Sequence, residues 1–149
     1  MDNNSSKPVP TPPICWVLFD YGGVVAEEGF KDYFAELSER YGRPRHELPQ
    51  LALDTVYDSG YVTGQADQAH FWSLLRERFP LNEKEIELTA GILRHFQLRR
   101  SVLTLVDELH GFGFRTGILS DQTDWLDMLD RRDDLFSHFD RVFNSYYLG

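Results

Sequence analysis

The 149-residue chain contains a single cysteine, Cys15. One thiol excludes a disulfide framework and a cysteine-based zinc site. Positive charge is also scarce: 15 Lys and Arg stand against 24 Asp and Glu, for a net charge of −9. General nucleic-acid binding needs cations to neutralise phosphates, so that partner class is excluded. No apolar run approaches the ~20 residues of a membrane span. The N-terminus lacks a basic stretch followed by an apolar one, so no secretory signal is read. The expectation is a soluble cytoplasmic protein with neither membrane nor nucleic acid as partner.

What is present is a globular composition. Hydrophobic residues make up 42% of the chain and aromatics 14%, which suits one domain with a real core. Residues 1–13 carry four prolines among Ser and Asn and read as a flexible tail. Residues 14–19 are continuously apolar and run into Asp20, Gly22 and Gly23, the pattern of a buried strand opening into a tight turn. Cys15 is expected to be buried and inert there.

A long helical stretch follows. Phe30, Tyr33, Phe34, Leu37 and Tyr41 share one face of a helix stopped by Gly42. A shorter, weaker helix is expected within residues 46–57. Gly60 and Gly64 break the chain, and Asp67 caps a helix bearing Phe71, Leu74, Leu75 and Phe79. Asn82 with Glu85 has the spacing of a capping box ahead of Ile86, Leu93 and Phe96. Val102, Leu105, Val106 and Leu109 form one more amphipathic helix. The period then changes: residues 114–119 read as a second strand ending at Ser120 and Asp121. A helix with Trp125, Leu126 and Leu129 inward follows, then a third strand over residues 140–145. Helices between strands imply an α/β fold with a Rossmann-like parallel sheet. Its partial core takes in residues 14–26 and 96–149, with residues 27–95 inserted as a helical cap.

Chemistry is expected at the carboxyl ends of parallel strands. Asp20 is there, suited either to nucleophilic attack or to capping the turn. Gly22 and Gly23 let the backbone turn its N–H groups toward an anion. Ser120 suits a phosphate oxygen or an ordinary helix N-cap. The five histidines share no metal-ligand spacing, though His70 and Trp72 sit where a cap could face substrate. The acidic run Asp124, Asp127, Asp130, Asp133 and Asp134 reads as a solvated helix face.

The segment from Val17 to Val25 (VLFDYGGVV) resembles the first motif of the haloacid dehalogenase-like superfamily. The segment from Gly117 to Leu126 (GILSDQTDWL) resembles its second. Gly64 followed by Phe71 and Trp72 resembles the cap of members whose insert lies between these motifs. The resemblance implies a Mg²⁺-dependent phosphatase acting on a small phosphorylated metabolite. Asp20 would be the nucleophile, Ser120 and Asp121 would bind phosphate, and Asp20 with the Gly22 carbonyl would hold the metal. Two departures stand out. Gly22 occupies the position where related phosphatases carry a second, proton-transferring Asp. The third and fourth motifs are absent, and neither Lys84 nor Arg141 lies in a context to replace their cation. The 149 residues are therefore expected to be a truncated core of little activity, with the first strand left as an exposed apolar edge. A non-catalytic interaction protein and a carbon–halogen hydrolase are the alternative readings.

Overall fold

The computed structural model describes residues 15–149. The tail assigned to residues 1–13, and Ile14 of the first expected strand, lie outside the described residues. Three strands, β1 (Trp16–Phe19), β2 (Arg115–Ser120) and β3 (Arg141–Asn144), form a parallel sheet in the order β1-β2-β3. The register pairs Phe19 with Ile118, Ile118 with Val142, and Ser120 with Asn144. Because side chains alternate across a pleated sheet, Phe19, Ile118 and Asn144 are all buried on one face. Trp16, Leu18, Leu119 and Phe143 stand on the other face and are exposed. Among the described residues β1 is an edge strand, as the sequence implied.

Five α-helices intervene between β1 and β2, the first four being α1 (Gly29–Arg40), α2 (Glu47–Asp58), α3 (Gln68–Arg78) and α4 (Glu85–His95). These four pack on one another, α1 on both α2 and α4, and α2 on α3. α5 (Arg100–Gly111) then leads into β2, and α6 (Trp125–Asp133) leads on to β3. A short α7 (Ser145–Leu148) ends the chain. Gly42 adopts a left-handed φ of 65° and terminates α1, with Arg43 N–H donating to the Ser38 carbonyl at 2.9 Å.

Several local expectations need correction. α2 is not short: at 12 residues it equals α1 in length. Pro49 falls in its first turn, where a missing N–H costs nothing, and Leu48, Ala52 and Val56 form a buried stripe. The cap of α4 lies two residues beyond the Asn82–Glu85 pair, with Glu87 accepting from the Lys84 N–H at 2.9 Å. That later start turns Leu88 and Ile92 inward and leaves Ile86 76% exposed. Cys15 is exposed just ahead of β1. The acidic run is more than a solvated face. Asp124 accepts from Tyr61, Asp127 from Tyr147, and Asp130 from the Phe136 N–H at 2.7 Å.

An aromatic cluster joins the four-helix layer to the sheet layer. Phe71 and Trp72 of α3 lie 4.6 Å apart by ring centroid, and Trp125 of α6 lies 6.0 Å from Trp72 and 5.4 Å from Tyr61. Polar ties reinforce it: Trp125 Nε1 donates to Gln68 Oε1 at 2.6 Å, and Ser145 Oγ donates to the Val62 carbonyl at 2.8 Å. Such rings contribute most through buried area, with pair geometry adding about 0.5–1.5 kcal/mol.

Tyr21 is fully buried beside Phe96, and its hydroxyl has no hydrogen-bond partner among the described residues. Burial drives its phenol far above the usual tyrosine range. An unpartnered buried hydroxyl carries a desolvation cost of about 1–3 kcal/mol. Tyr21→Phe removes that cost with little change of shape. The variant is expected to gain about 1 kcal/mol in urea denaturation; a loss of stability would show that the hydroxyl is satisfied in solution.

Candidate active site

Asp20 follows the last residue of β1, and Ser120 ends the neighbouring β2. Parallel pairing brings both side chains to one end of the sheet. Ser120 Oγ donates to Asp20 Oδ1 at 2.6 Å. The Tyr21 N–H donates to the same oxygen at 2.7 Å and lies 3.4 Å from Ser120 Oγ. The carboxylate is thus held in place, and no hydrogen bond engages Oδ2 among the described residues. At the end of β3, Asn144 Nδ2 donates to the Thr123 carbonyl at 3.0 Å, fixing the loop behind Ser120.

The turn after Asp20 is tight because Gly23 takes a φ of 77°. Val24 N–H returns to the Tyr21 carbonyl at 3.3 Å and Ala26 N–H to the same carbonyl at 2.9 Å. Ala26 then bridges Leu98, so the chain leaving the sheet runs beside the chain returning to it. Arg99 pins this crossing. Its guanidinium donates to the Gly23 carbonyl at 2.5 Å and to both Glu27 oxygens at 3.0 and 2.9 Å. The Arg99 hydrogen bond holds the Glu27 carboxyl below its ordinary range.

Above these residues lies a cavity of about 510 Å³. Asp20, Gly22, Ser120, Asp121 and Gln122 line it from the sheet end, and Glu28, Lys31, Leu53, Tyr57 and Val62 from the helical side. Its volume and its mix of apolar walls with convergent polar groups suit a small molecule. The four residues that the family resemblance marks, Asp20, Gly22, Ser120 and Asp121, therefore meet in one place. Asp121 accepts from the Tyr57 hydroxyl at 3.4 Å. Burial raises the Tyr57 phenol, with the Asp121 charge adding to it.

His70 and Trp72 do not reach this cavity. Trp72 is fully buried and donates from Nε1 to Thr89 Oγ1 at 3.3 Å, while His70 faces a separate hollow beside Tyr146. Three residues went unmarked or nearly so in the sequence: Lys31, Tyr57 and, as a site residue, Glu28. The signal for two of them was faint but present. Glu28 and Lys31 are three apart at the start of α1, the spacing of neighbours on a helix, and their charges lie 4.0 Å apart.

The donors present around Asp20 are all oxygens: its carboxylate, the Gly22 carbonyl and Asp121. That set fits a hard cation such as Mg²⁺, which takes one or two carboxylates and fills the rest of its shell with water and substrate phosphate. Among the described residues no group of three or more His, Cys, Asp or Glu side chains could hold a metal by itself.

Searches against family models and against curated proteins find no match. Solved structures do match. A HAD-family enzyme of Bacteroides thetaiotaomicron, in complex with magnesium and inorganic phosphate, superposes with a TM-score of 0.66 at 17% identity. The match covers 90% of this chain and 70% of that one. The chain has the haloacid dehalogenase-like fold. The L-2-haloacid dehalogenase of Xanthobacter autotrophicus, with chloropropionic acid covalently bound, superposes with a TM-score of 0.59 at 17% identity. Here the match covers 89% of this chain but 57% of the dehalogenase. A predicted HAD-like family hydrolase from Porphyromonas gingivalis matches at a TM-score of 0.56 and 16% identity, over 89% of this chain and 67% of that one. In this haloacid dehalogenase-like fold, the two sequence motifs coincide with the ends of β1 and β2, where the cavity opens. No described helix is long and apolar enough to cross a membrane.

Proposed function

We propose that this protein is a phosphoryl-transfer hydrolase that acts on a small phosphorylated metabolite, with residues 27–95 serving as the cap over its site. The observation that carries this reading is the Ser120–Asp20 hydrogen bond at the mouth of the cavity. A carboxylate oriented by a hydroxyl and a backbone N–H, at adjacent parallel strand ends, is placed to attack an electrophile above it. Asp20 is the nucleophile, and Ser120 turns its hydroxyl to the phosphoryl oxygens. Asp20 and the Gly22 carbonyl would hold Mg²⁺, whose charge would offset the repulsion between carboxylate and phosphate. Lys31 supplies a cation from the cap side. A protein with this fold binds magnesium and phosphate, which is consistent with the phosphate reading, while a dehalogenase of the same fold keeps the carbon–halogen reading as the alternative the test must separate.

The test is an acid-quenched single turnover with p-nitrophenyl phosphate and Mg²⁺. A phosphorylated protein and a burst of nitrophenol are expected, both removed by EDTA. Halide release from 2-chloropropionate without metal, and no phosphoprotein, would overturn the reading in favour of the dehalogenase alternative. Neither activity would favour a binding role for the same cavity.

Lys31 provides a further check. A hydrogen bond to a charged group contributes roughly 1.5–3 kcal/mol. Lys31→Met is therefore expected to raise KM for phosphate esters by about 10- to 100-fold, with a smaller effect on kcat. An unchanged KM would remove Lys31 from the substrate site.

A further inference from the structure

Phosphoryl transfer through Asp20 leaves a proton unaccounted for. When a carboxylate displaces an alkoxide from phosphorus, the leaving oxygen needs a proton. When water then attacks the acyl-phosphate, a base must remove one. Asp20 is occupied as the nucleophile and can do neither. Of the ionisable groups near the cavity, Lys31 is a cation, and Asp121 and the Tyr57 hydroxyl, raised by burial, are engaged with each other. Glu27 is held in both oxygens by Arg99.

Glu28 is placed differently: its ion-pair partner is Lys31, 4.0 Å away and itself on the cavity wall. Its carboxylate lines the cavity beside Asp20 and Gly22. A Cβ built on Gly22 would stand 3.5 Å from both Glu28 carboxylate oxygens, with Gln122 Nε2 the next nearest atom at 3.7 Å. The carboxylate of Glu28 therefore fills the space that a side chain at position 22, two residues beyond the nucleophile, would enter. The crossing at Ala26 and Leu98 delivers it there. Arg99 draws Glu27 to one side, and the following residue turns into the cavity at the start of α1.

We infer that Glu28 is the general acid and base of this site, a role that rests on the phosphoryl-transfer reading above. In the first step an Asp20 oxygen bonds to phosphorus as the phosphorus–alkoxide bond breaks, and the departing alkoxide takes the proton of the Glu28 carboxylic acid. In the second step a water oxygen bonds to phosphorus as the Asp20–phosphorus bond breaks, and the Glu28 carboxylate takes the water proton. Inorganic phosphate leaves, Asp20 is again a carboxylate, and Glu28 is again protonated. Gly22 has a part in this: the absence of a side chain leaves room for the carboxylate arriving from the helical layer.

The experiment compares the purified protein with Glu28→Gln, Asp20→Asn and the double variant Gly22→Asp/Glu28→Ala, which clears the space beside position 22. Two substrates are used, p-nitrophenyl phosphate, whose leaving group needs little protonation, and an alkyl phosphate, whose leaving group needs much. Glu28→Gln is expected to keep the nitrophenol burst within about tenfold while steady-state turnover of both esters falls on the order of 10²- to 10⁴-fold. With the alkyl ester, phosphoprotein formation itself slows. The double variant returns a carboxylate to the same space and is expected to regain at least tenfold of that loss. The φ of Gly22 lies outside the left-handed region, so an aspartate is accommodated there. Glu28 makes no side-chain cap bond to α1, so Glu28→Gln is expected to melt with the parent. If it does not, Glu28→Asp replaces it, with partial turnover expected. Turnover by Glu28→Gln within twofold of the parent on both esters, while Asp20→Asn is inactive, overturns the role of Glu28 and leaves the phosphatase reading standing. No phosphoprotein from the parent overturns both.

Discussion

Asp20→Asn is expected to reduce phosphate-ester hydrolysis to background. Asparagine keeps the size of the side chain, and its amide oxygen can still accept from Ser120 and the Tyr21 N–H, the two bonds that hold Asp20 Oδ1. The turn should therefore survive, and circular dichroism should match the parent. What is lost is the anionic oxygen that attacks phosphorus. A neutral amide is a poor nucleophile, and residues acting as a unit with the nucleophile cannot make up the difference. The variant also gives up the negative charge that would attract Mg²⁺. Hydrolysis retained within tenfold of the parent, with the fold intact, would take the nucleophile's role away from Asp20.

A second large effect is expected far from the chemistry. Gly64→Ala should destabilise the protein by roughly 2–5 kcal/mol, read from urea denaturation. Two costs add. Gly64 holds a φ of 68°, and a side chain in the left-handed region costs about 1–2 kcal/mol. Its missing Cβ would also stand 2.2 Å from the Tyr146 carbonyl oxygen. That oxygen belongs to the backbone of α7, so no rotamer can relieve the contact; either the Tyr61–Thr63 turn or α7 must move. Overpacking of this kind costs about 1–3 kcal/mol, against a typical total of about 5–15 kcal/mol. The shift should also loosen the Ser145–Val62 tie between the two layers. A melting curve unchanged from the parent would show that the layers are not packed so closely at this point.

Asp20 and Ser120 were legible because a strand followed by a polar residue and a turn is a local pattern, and parallel α/β topology brings such ends together. The order of helices was legible because apolar periodicity reports which face is buried. The start of α4 was not. Local spacing favoured Asn82 with Glu85, whereas packing of Leu88 and Ile92 against α1 selected a frame two residues later. Gly64 was legible as a break in the chain, but the carbonyl of Tyr146 pressing on it is 82 residues away in the sequence. Trp72 shows the same limit in reverse. Its position in the cap suggested a view of substrate, and the aromatic cluster with Phe71 and Trp125 claimed it for the core.

The alternation of strand and helix patterns, and two strands that run into Asp20 and Ser120, determined by themselves the class of fold and the kind of chemistry to look for, and the scarcity of cysteine and of positive charge narrowed it. These are matters of composition and of neighbours in sequence. Tertiary structure alone decided which charges face the cavity. Glu27 and Glu28 are adjacent and identical in type, yet one is bound by Arg99 and the other lies against the empty side of Gly22. The difference arises because the chain crosses between two layers at that point. Successive side chains there meet partners 72 and 6 residues away, and no local pattern encodes which of the two is left for the site.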